Sequence, residues 1–404
     1  MSMAAYWLPL VNLQMKIKMR LLIVLTVLIF SCRQEFKELT VDQAEYGVAE
    51  ISIDQLESNG IKLKEGELVL FFSDNPNHPL VSQPIRNSEG ALESFMVKVG
   101  AERTVTTEIV LADHYPEFKA HTNIRLAAKK PELHEVSTYE RLKGFDTNVT
   151  SPVLQMEGPA WENEFVAFRN YLDERNGMDI FGKKIDTMVL DEVGVPGGPS
   201  YHNLQDWGQD ILKVGNSLGA GSIALQIGDS LYRIGPDATS FTNIVTEGPL
   251  KSVLEFTFDN WEVQGRSYQV RHQVEIQSGT RFYQSFVSVK GLKGDERLVT
   301  GIVNMNSDSL YSYKGVQEVA FGTYDNQAFG GEKLGMAIAV NKDDFNETFT
   351  TPDTGKGITQ TYGLTLNLYK DRPTSFRFYS CWEYENTQFS DYTGFSDFIT
   401  SDLK

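Results

Sequence analysis

The sequence predicts an all-β protein, a large antiparallel β-sandwich, and three observations carry that reading. Beyond residue 45 apolar and polar residues alternate with a period of two, Gly, Asp, Asn and Pro punctuate the alternating runs, and long helical spacing is scarce. A chain of 404 residues that is 41% hydrophobic and 11% aromatic has ample material for one big domain or two closely packed ones.

The first element is not part of the sandwich. "MKIKMRLLIVLTVLIFSC", residues 15 to 32, has a basic start (Lys16, Lys18, Arg20), an apolar run from Leu21 to Phe30 and then Ser31-Cys32. The run is too short to span a bilayer. A small residue followed by Cys after such a run is similar to a bacterial lipobox. Residues 1–31 therefore read as a lipoprotein signal peptide, Cys32 as the acylated anchor and residues 32–44 as a linker. Removing three basic and no acidic residues takes the formal charge from −17 to −20. Such a surface argues against nucleic acid as a partner and requires that any anionic ligand be met by a local cationic cluster. With Cys32 committed to lipid, Cys381 stands alone and no internal disulfide is expected.

Residues 45–404 form the sandwich. "ELVLFF", "ESFMVKV" and "TVTTEIVLA" are strand candidates, and the charged "AAKKPELHEV" marks a soft internal boundary near 130–138. "WENEFVAFRNYLDERNG" is ambiguous: Trp161, Phe165, Phe168 and Leu172 fit a helix, whereas a strand aligns Trp161, Asn163, Phe165, Ala167 and Arg169. "SYQVRHQVEIQSGTRFYQSFVSV" is the clearest strand pair. It places Tyr268, Val270, His272, Val274 and Ile276 on one face and Arg271 with its polar neighbours on the other, with a hairpin turn at Ser278-Gly279. "SVLEFTFDNWEV", "GMAIAV", "TYGLTLNLY" and "SFRFYSCWEY" repeat the pattern, and no repeat of 20 to 50 residues is visible.

Of six histidines, His78, His114, His121 and His134 sit in loop-like or charged surroundings and read as surface residues. His202 differs. In "PSYHNLQDWGQDILKVGNSLGAGS" it adjoins Tyr201 and is followed by Trp207, Asp210 and Lys213. A Tyr-His pair supplies a proton donor and acceptor and Trp a platform for a sugar ring, although a polar surface loop has the same composition. Gly215, Gly219 and Gly221 match neither a P-loop nor a dinucleotide fingerprint. Arg271 suits a carboxylate or sulfate on a carbohydrate groove and equally suits a solvated sheet face. His272, on the apolar face, reads first as a core histidine. Glu157, Glu162, Glu164 and Arg169 resemble a glycosidase carboxylate set of unknown spacing.

Trp161-Glu162-Asn163, Ala167-Phe168-Arg169, Gly182-Lys183, Tyr201-His202, Trp207-Gly208, Asp210 and Lys213-Val214-Gly215 together carry a resemblance. The chain resembles a family of uncharacterised-domain lipoproteins of marine and gut glycan-degrading bacteria, whose best-known activity is an oligosaccharide dehydratase of ulvan degradation. The resemblance implies a fold like the galactose-mutarotase and polysaccharide-lyase supersandwich, with the segment at Trp161 a strand. It implies removal of water from the non-reducing glucuronic or iduronic acid of an acidic oligosaccharide, giving a 4,5-unsaturated uronic acid. His202 and Tyr201 then transfer protons, Arg271 or Arg169 clamps the carboxylate, Lys213 assists, and His272 serves if both epimers react. Trp207, Asn163 and Trp161 are further substrate contacts. No cofactor is implied, and a divalent metal is left open. Export to an outer-membrane, periplasm-facing or cell-surface position follows from the lipid. The competing expectations are a non-catalytic glycan-binding lipoprotein using Trp161, Trp207, Trp261 or Trp382 as platforms, and a polysaccharide lyase.

Overall fold

The computed structural model describes residues 37–41, 44–73, 77–100, 104–142, 153–235 and 238–404. Residues 1–31, read above as a signal peptide, and Cys32, read as its lipid anchor, lie outside the described residues. Among those residues no helix is long and apolar enough to cross a membrane.

A nine-stranded antiparallel sheet forms one layer of an all-β sandwich. Its centre is the pair Lys251–Val263 and Arg266–Gln277, joined by Gln264 and Gly265, both at positive φ as a tight two-residue hairpin demands. Arg266–Gln277 then pairs with Phe282–Lys290 across the turn expected at Ser278-Gly279. Gly279 sits at φ +88°, and a Cβ there would stand 2.3 Å from the Tyr46 carbonyl, so only glycine fits.

Two five-stranded sheets form the second layer, meeting at a bridge between Met178 and Gly219. One of them contains Thr122–Arg125, Ala160–Asn163, Val166–Asn170, Met178–Lys183 and Gly208–Asp210. The ambiguous segment is therefore two strands. Asn163 Oδ1 accepts from the backbone N–H groups of Phe165 (2.9 Å) and Val166 (3.0 Å), which fixes the tight turn between them and stops a helix from forming. Between the layers, Trp161 and Phe168 meet Phe256, Tyr283 and Phe378 in edge-on contacts.

A smaller unit precedes the sandwich. It has two three-stranded sheets and a core of its own around Leu39, Ile51, Leu56, Phe71, Phe95 and Val105. The change of core falls before Thr122, whose strand already belongs to the sandwich, while residues 127–135 form a small hairpin. The two parts are joined at the buried Glu164 carboxylate. It accepts from Lys98 Nζ (2.8 Å), Ser278 Oγ (2.6 Å) and Gly279 N (3.1 Å) and lies 3.1 Å from His121 Nδ1. Desolvation opposes the charge, but these hydrogen bonds outweigh it and hold Glu164 well below the usual carboxylate range. His121 is thus a half-buried residue of this seam rather than a solvated one.

Candidate functional site

Alternation in the site sheet turns Trp161, Phe168 and Ile180 to the core and sends their neighbours to the outer face. That outer face is charged yet buried: Glu162, Arg169, Asp179, Lys183 and Asp210 are all at most 6% exposed. The cover is the long segment 184–207, between the strands ending at Lys183 and beginning at Gly208. Its Val189, Leu190 and Val193 pack on Ala160, Ala167 and Phe181. A connection of this length inside a compact domain is usually functional.

Two ionic groups lie beneath it. Lys183 Nζ meets Glu162 Oε2 at 2.7 Å, and Glu162 Oε1 accepts from the backbone N–H groups of Val189 and Leu190, both at 2.8 Å. The second group centres on Arg169. Its Nη2 lies 2.5 Å from Asp179 Oδ2, 2.7 Å from Asp210 Oδ2 and 2.6 Å from Tyr171 Oη. Its Nη1 donates to the Met156 carbonyl (3.0 Å) and to Tyr201 Oη (3.3 Å). Desolvation works against this cation, but Asp210 and Asp179 more than offset it and keep Arg169 charged. Asp179 is pushed up to about 6 by burial and by Asp210, against the pull of Arg169.

Tyr201 and His202 carry this network to the surface. His202 Nδ1 lies 3.3 Å from Asp210 Oδ2 while its side chain stays 56% exposed, and the two aromatic rings sit 4.4 Å apart. The contact with Asp210 raises the His202 pKa against a smaller opposing effect of burial. Burial raises that of Tyr201, and Arg169 opposes it. The backbone N–H of Asp210 donates to the Tyr201 carbonyl at 2.9 Å, pinning the segment to the sheet. Gly194, at φ +70°, leaves room for the Tyr201 ring, which a Cβ would approach to 3.1 Å.

Glu157 completes the lip. Met156 and Glu157 both hold left-handed backbone (φ 52° and 68°), a strained arrangement of the kind that persists where the surroundings over-determine it. The half-buried Glu157 acts electrostatically on both Tyr201 and His202. Arg169, Tyr201, His202 and Glu157 were nominated from sequence and come together. Asp179 and Tyr171 were missed. Alternation of Asp179, Phe181 and Lys183 with Met178 and Ile180 assigns Asp179 to the outer face, and strand register then sets it opposite Arg169.

The remaining nominated residues do not join this cluster. His272 is 1% exposed, faces Phe256 and bonds Ser285 Oγ at 2.9 Å; burial depresses it to about 3, so it is a neutral core residue and not an acid or base. Arg271 projects from the opposite layer, away from Arg169. Asn163 is consumed by its turn and by the carbonyls of Gln277 and Thr280. Trp161, Trp261 and Trp382 are core side chains at 1–3% exposure and offer no platform. Trp207 is half-buried with its ring against Phe181. Lys213 is exposed and lines a separate open cavity with Asn216, Met305 and Asp353. Arg169 has every donor direction filled by protein, so it holds its neighbours rather than a substrate carboxylate. Among the described residues no group of three or more His, Cys, Asp or Glu is placed to hold a metal ion.

Fold and cluster define an all-β sandwich protein in which a buried arginine-carboxylate floor supports a half-buried Tyr201 and an exposed His202. The chain belongs to the family described as "Domain of unknown function (DUF4861)", which matches residues 48–403. No curated protein sequence matches it. Among solved structures, it is similar to a glycosyl hydrolase family 38 protein from Enterococcus faecalis, with 10% identity, a TM-score of 0.43, and 91% of this chain and 47% of that one covered. It is also similar to an alpha-mannosidase from Enterococcus faecalis V583, with 9% identity, a TM-score of 0.36, and 91% and 44% covered. The chain spans about half the length of either.

Proposed function

We propose that the protein is a carbohydrate hydro-lyase that removes water from the non-reducing glucuronic or iduronic acid of ulvan oligosaccharides. The product is a 4,5-unsaturated uronic acid, a substrate for hydrolases that cut unsaturated glucuronyl units. The observation that carries the reading is the placement of Tyr201 Oη over Arg169 beside His202, which is backed by Asp210. Family resemblance at Tyr201-His202 and around Arg169 supports the same class of substrate.

Elimination needs a base for the C5 proton and an acid for the departing 4-hydroxyl. Among the described residues His202 Nε2 has no protein partner, so it is free to take the C5 proton. The C5–H electron pair becomes the C4=C5 double bond, the C4–O bond breaks, and the Tyr201 phenol gives its proton to the leaving oxygen, which departs as water. Asp210 stabilises the imidazolium formed at His202, and the Arg169 guanidinium stabilises the phenolate formed at Tyr201. Arg169 is therefore a positioning residue in this scheme. The half-buried Glu157 is a second carboxylate on the same lip.

The test is incubation of purified protein with saturated, uronic-acid-terminated ulvan oligosaccharides, following ultraviolet absorbance and product mass. Rising absorbance with loss of one water at constant chain length is expected. Shortened chains would make the protein a polysaccharide lyase, and saturable binding without product would make it a glycan-binding lipoprotein.

A further inference from the structure

Arg271 was expected beside the reacting sugar, and the fold instead puts it on the far side of the molecule. The strand Arg266–Gln277 turns His272 inward to the aromatic core and Arg271 outward, while the site sheet turns Phe168 inward and Arg169 outward. The two arginines therefore lie on opposite outer faces of the sandwich.

Arg271 lines a groove of about 390 Å³ between the polar face of the nine-stranded sheet and the loop 369–373. Four cations line it, Arg271, Lys290, Lys370 and Arg372, against one carboxylate, Asp371, in a chain of net charge −17. The two arginines are braced from behind. Arg271 Nε donates to Glu255, which leaves its two terminal nitrogens open, and Arg372 is forked onto Asp344 while its guanidinium lies 3.5 Å from the centre of the Tyr369 ring. Lys290 and Lys370 are exposed and make no ion pair among the described residues. Gln269 and Ser288 add neutral hydrogen-bonding groups on the floor.

We infer that this groove is a second binding site for acidic glycan, one that holds an anionic sugar chain through sulfate or carboxylate groups without acting on it. Open guanidinium nitrogens, two free ammonium groups, amide and hydroxyl partners and a braced tyrosine are what an acidic sugar chain requires. The net charge of the protein works against such chains, so their binding requires a local cationic groove of this kind. The inference stands apart from the chemistry at His202, because it is read by binding and not by turnover.

The test is affinity electrophoresis of the full protein in gels containing dextran sulfate, polygalacturonate or neutral dextran. Retardation by one or both anionic polymers, weakening with salt, and none by neutral dextran, is expected, and the stronger anionic polymer identifies sulfate or carboxylate as the recognised group. The pair Lys290→Glu with Lys370→Glu should weaken the retardation about tenfold or more, as loss of hydrogen bonds to charged groups requires. The charge-matched pair Lys62→Glu with Lys64→Glu, on the small unit, should leave it nearly unchanged. Equal weakening by both pairs, or no retardation of the unmodified protein by either anionic polymer, would overturn the inference. Both variant pairs should retain the unmodified protein's turnover of short substrates.

Discussion

His202 Nδ1 stands 3.3 Å from Asp210 Oδ2, and the same carboxylate oxygen lies 2.7 Å from Arg169 Nη2. One buried acceptor thus ties a half-exposed imidazole to a fully buried cation. The pH behaviour follows from that tie. Asp210 raises the His202 pKa above its ordinary 6.5, and a base is competent only when deprotonated. The rate should therefore rise with pH through a value above 6.5, and Asp210→Asn should move that limb to lower pH. Profiles of kcat/KM against pH for the two proteins check this.

The Tyr201-His202 pair separates chemistry from folding. His202→Ala removes a half-exposed side chain whose one ionic contact is with Asp210 and should cost no more than about 1 kcal/mol of stability while abolishing turnover. Tyr201→Phe keeps the ring contact with Phe181 and removes only the hydroxyl, and should lower kcat by roughly 10²- to 10⁴-fold. Kinetics beside thermal melts decide the matter; near-normal turnover in His202→Ala would remove His202 from the mechanism.

Arg169 should matter to folding first. Arg169→Met leaves Asp179 and Asp210 facing each other in a dry site, and breaking a buried pair from one side costs about 3–5 kcal/mol. A fall of that size in urea denaturation is expected. The pair also sets a pH dependence. Asp179 is raised in the folded state to about 6 from an ordinary 3.8, so its contribution to stability is complete below 3.8 and is lost as pH rises through about 6. Asp179→Asn should flatten that part of the melting-temperature profile.

His272 offers the opposite sign. Burial lowers it to about 3, so the neutral ring contributes stability that is present above pH 6.5 and is lost as pH falls from there toward 3. His272→Phe should weaken this acid sensitivity and leave kcat and its pH profile unchanged.

The central strands were legible because one face of the nine-stranded sheet is dry and the other wet, so Tyr268 to Ile276 show a period of two and assign Arg271 and His272 to opposite faces. The strands at Trp161 and Phe168 were not. They are buried on both faces, by the core on one side and segment 184–207 on the other, which erases the alternation and leaves a pattern that also fits a helix. Tyr201 and His202 stood out as neighbours in sequence. Asp179 reaches Arg169 only through strand register, which no local spacing reveals. The three core tryptophans were misjudged as sugar platforms because composition does not tell a solvent-facing ring from one between sheets.

The two layers also act as a partition. Aliphatic and aromatic side chains fill the space between the face that bears His202 and the face that bears Arg271. Effects on one face should therefore be thermodynamically independent of effects on the other. Changes at Lys290 and His202, made singly and together, should give free-energy differences in polymer retention and in turnover that simply add.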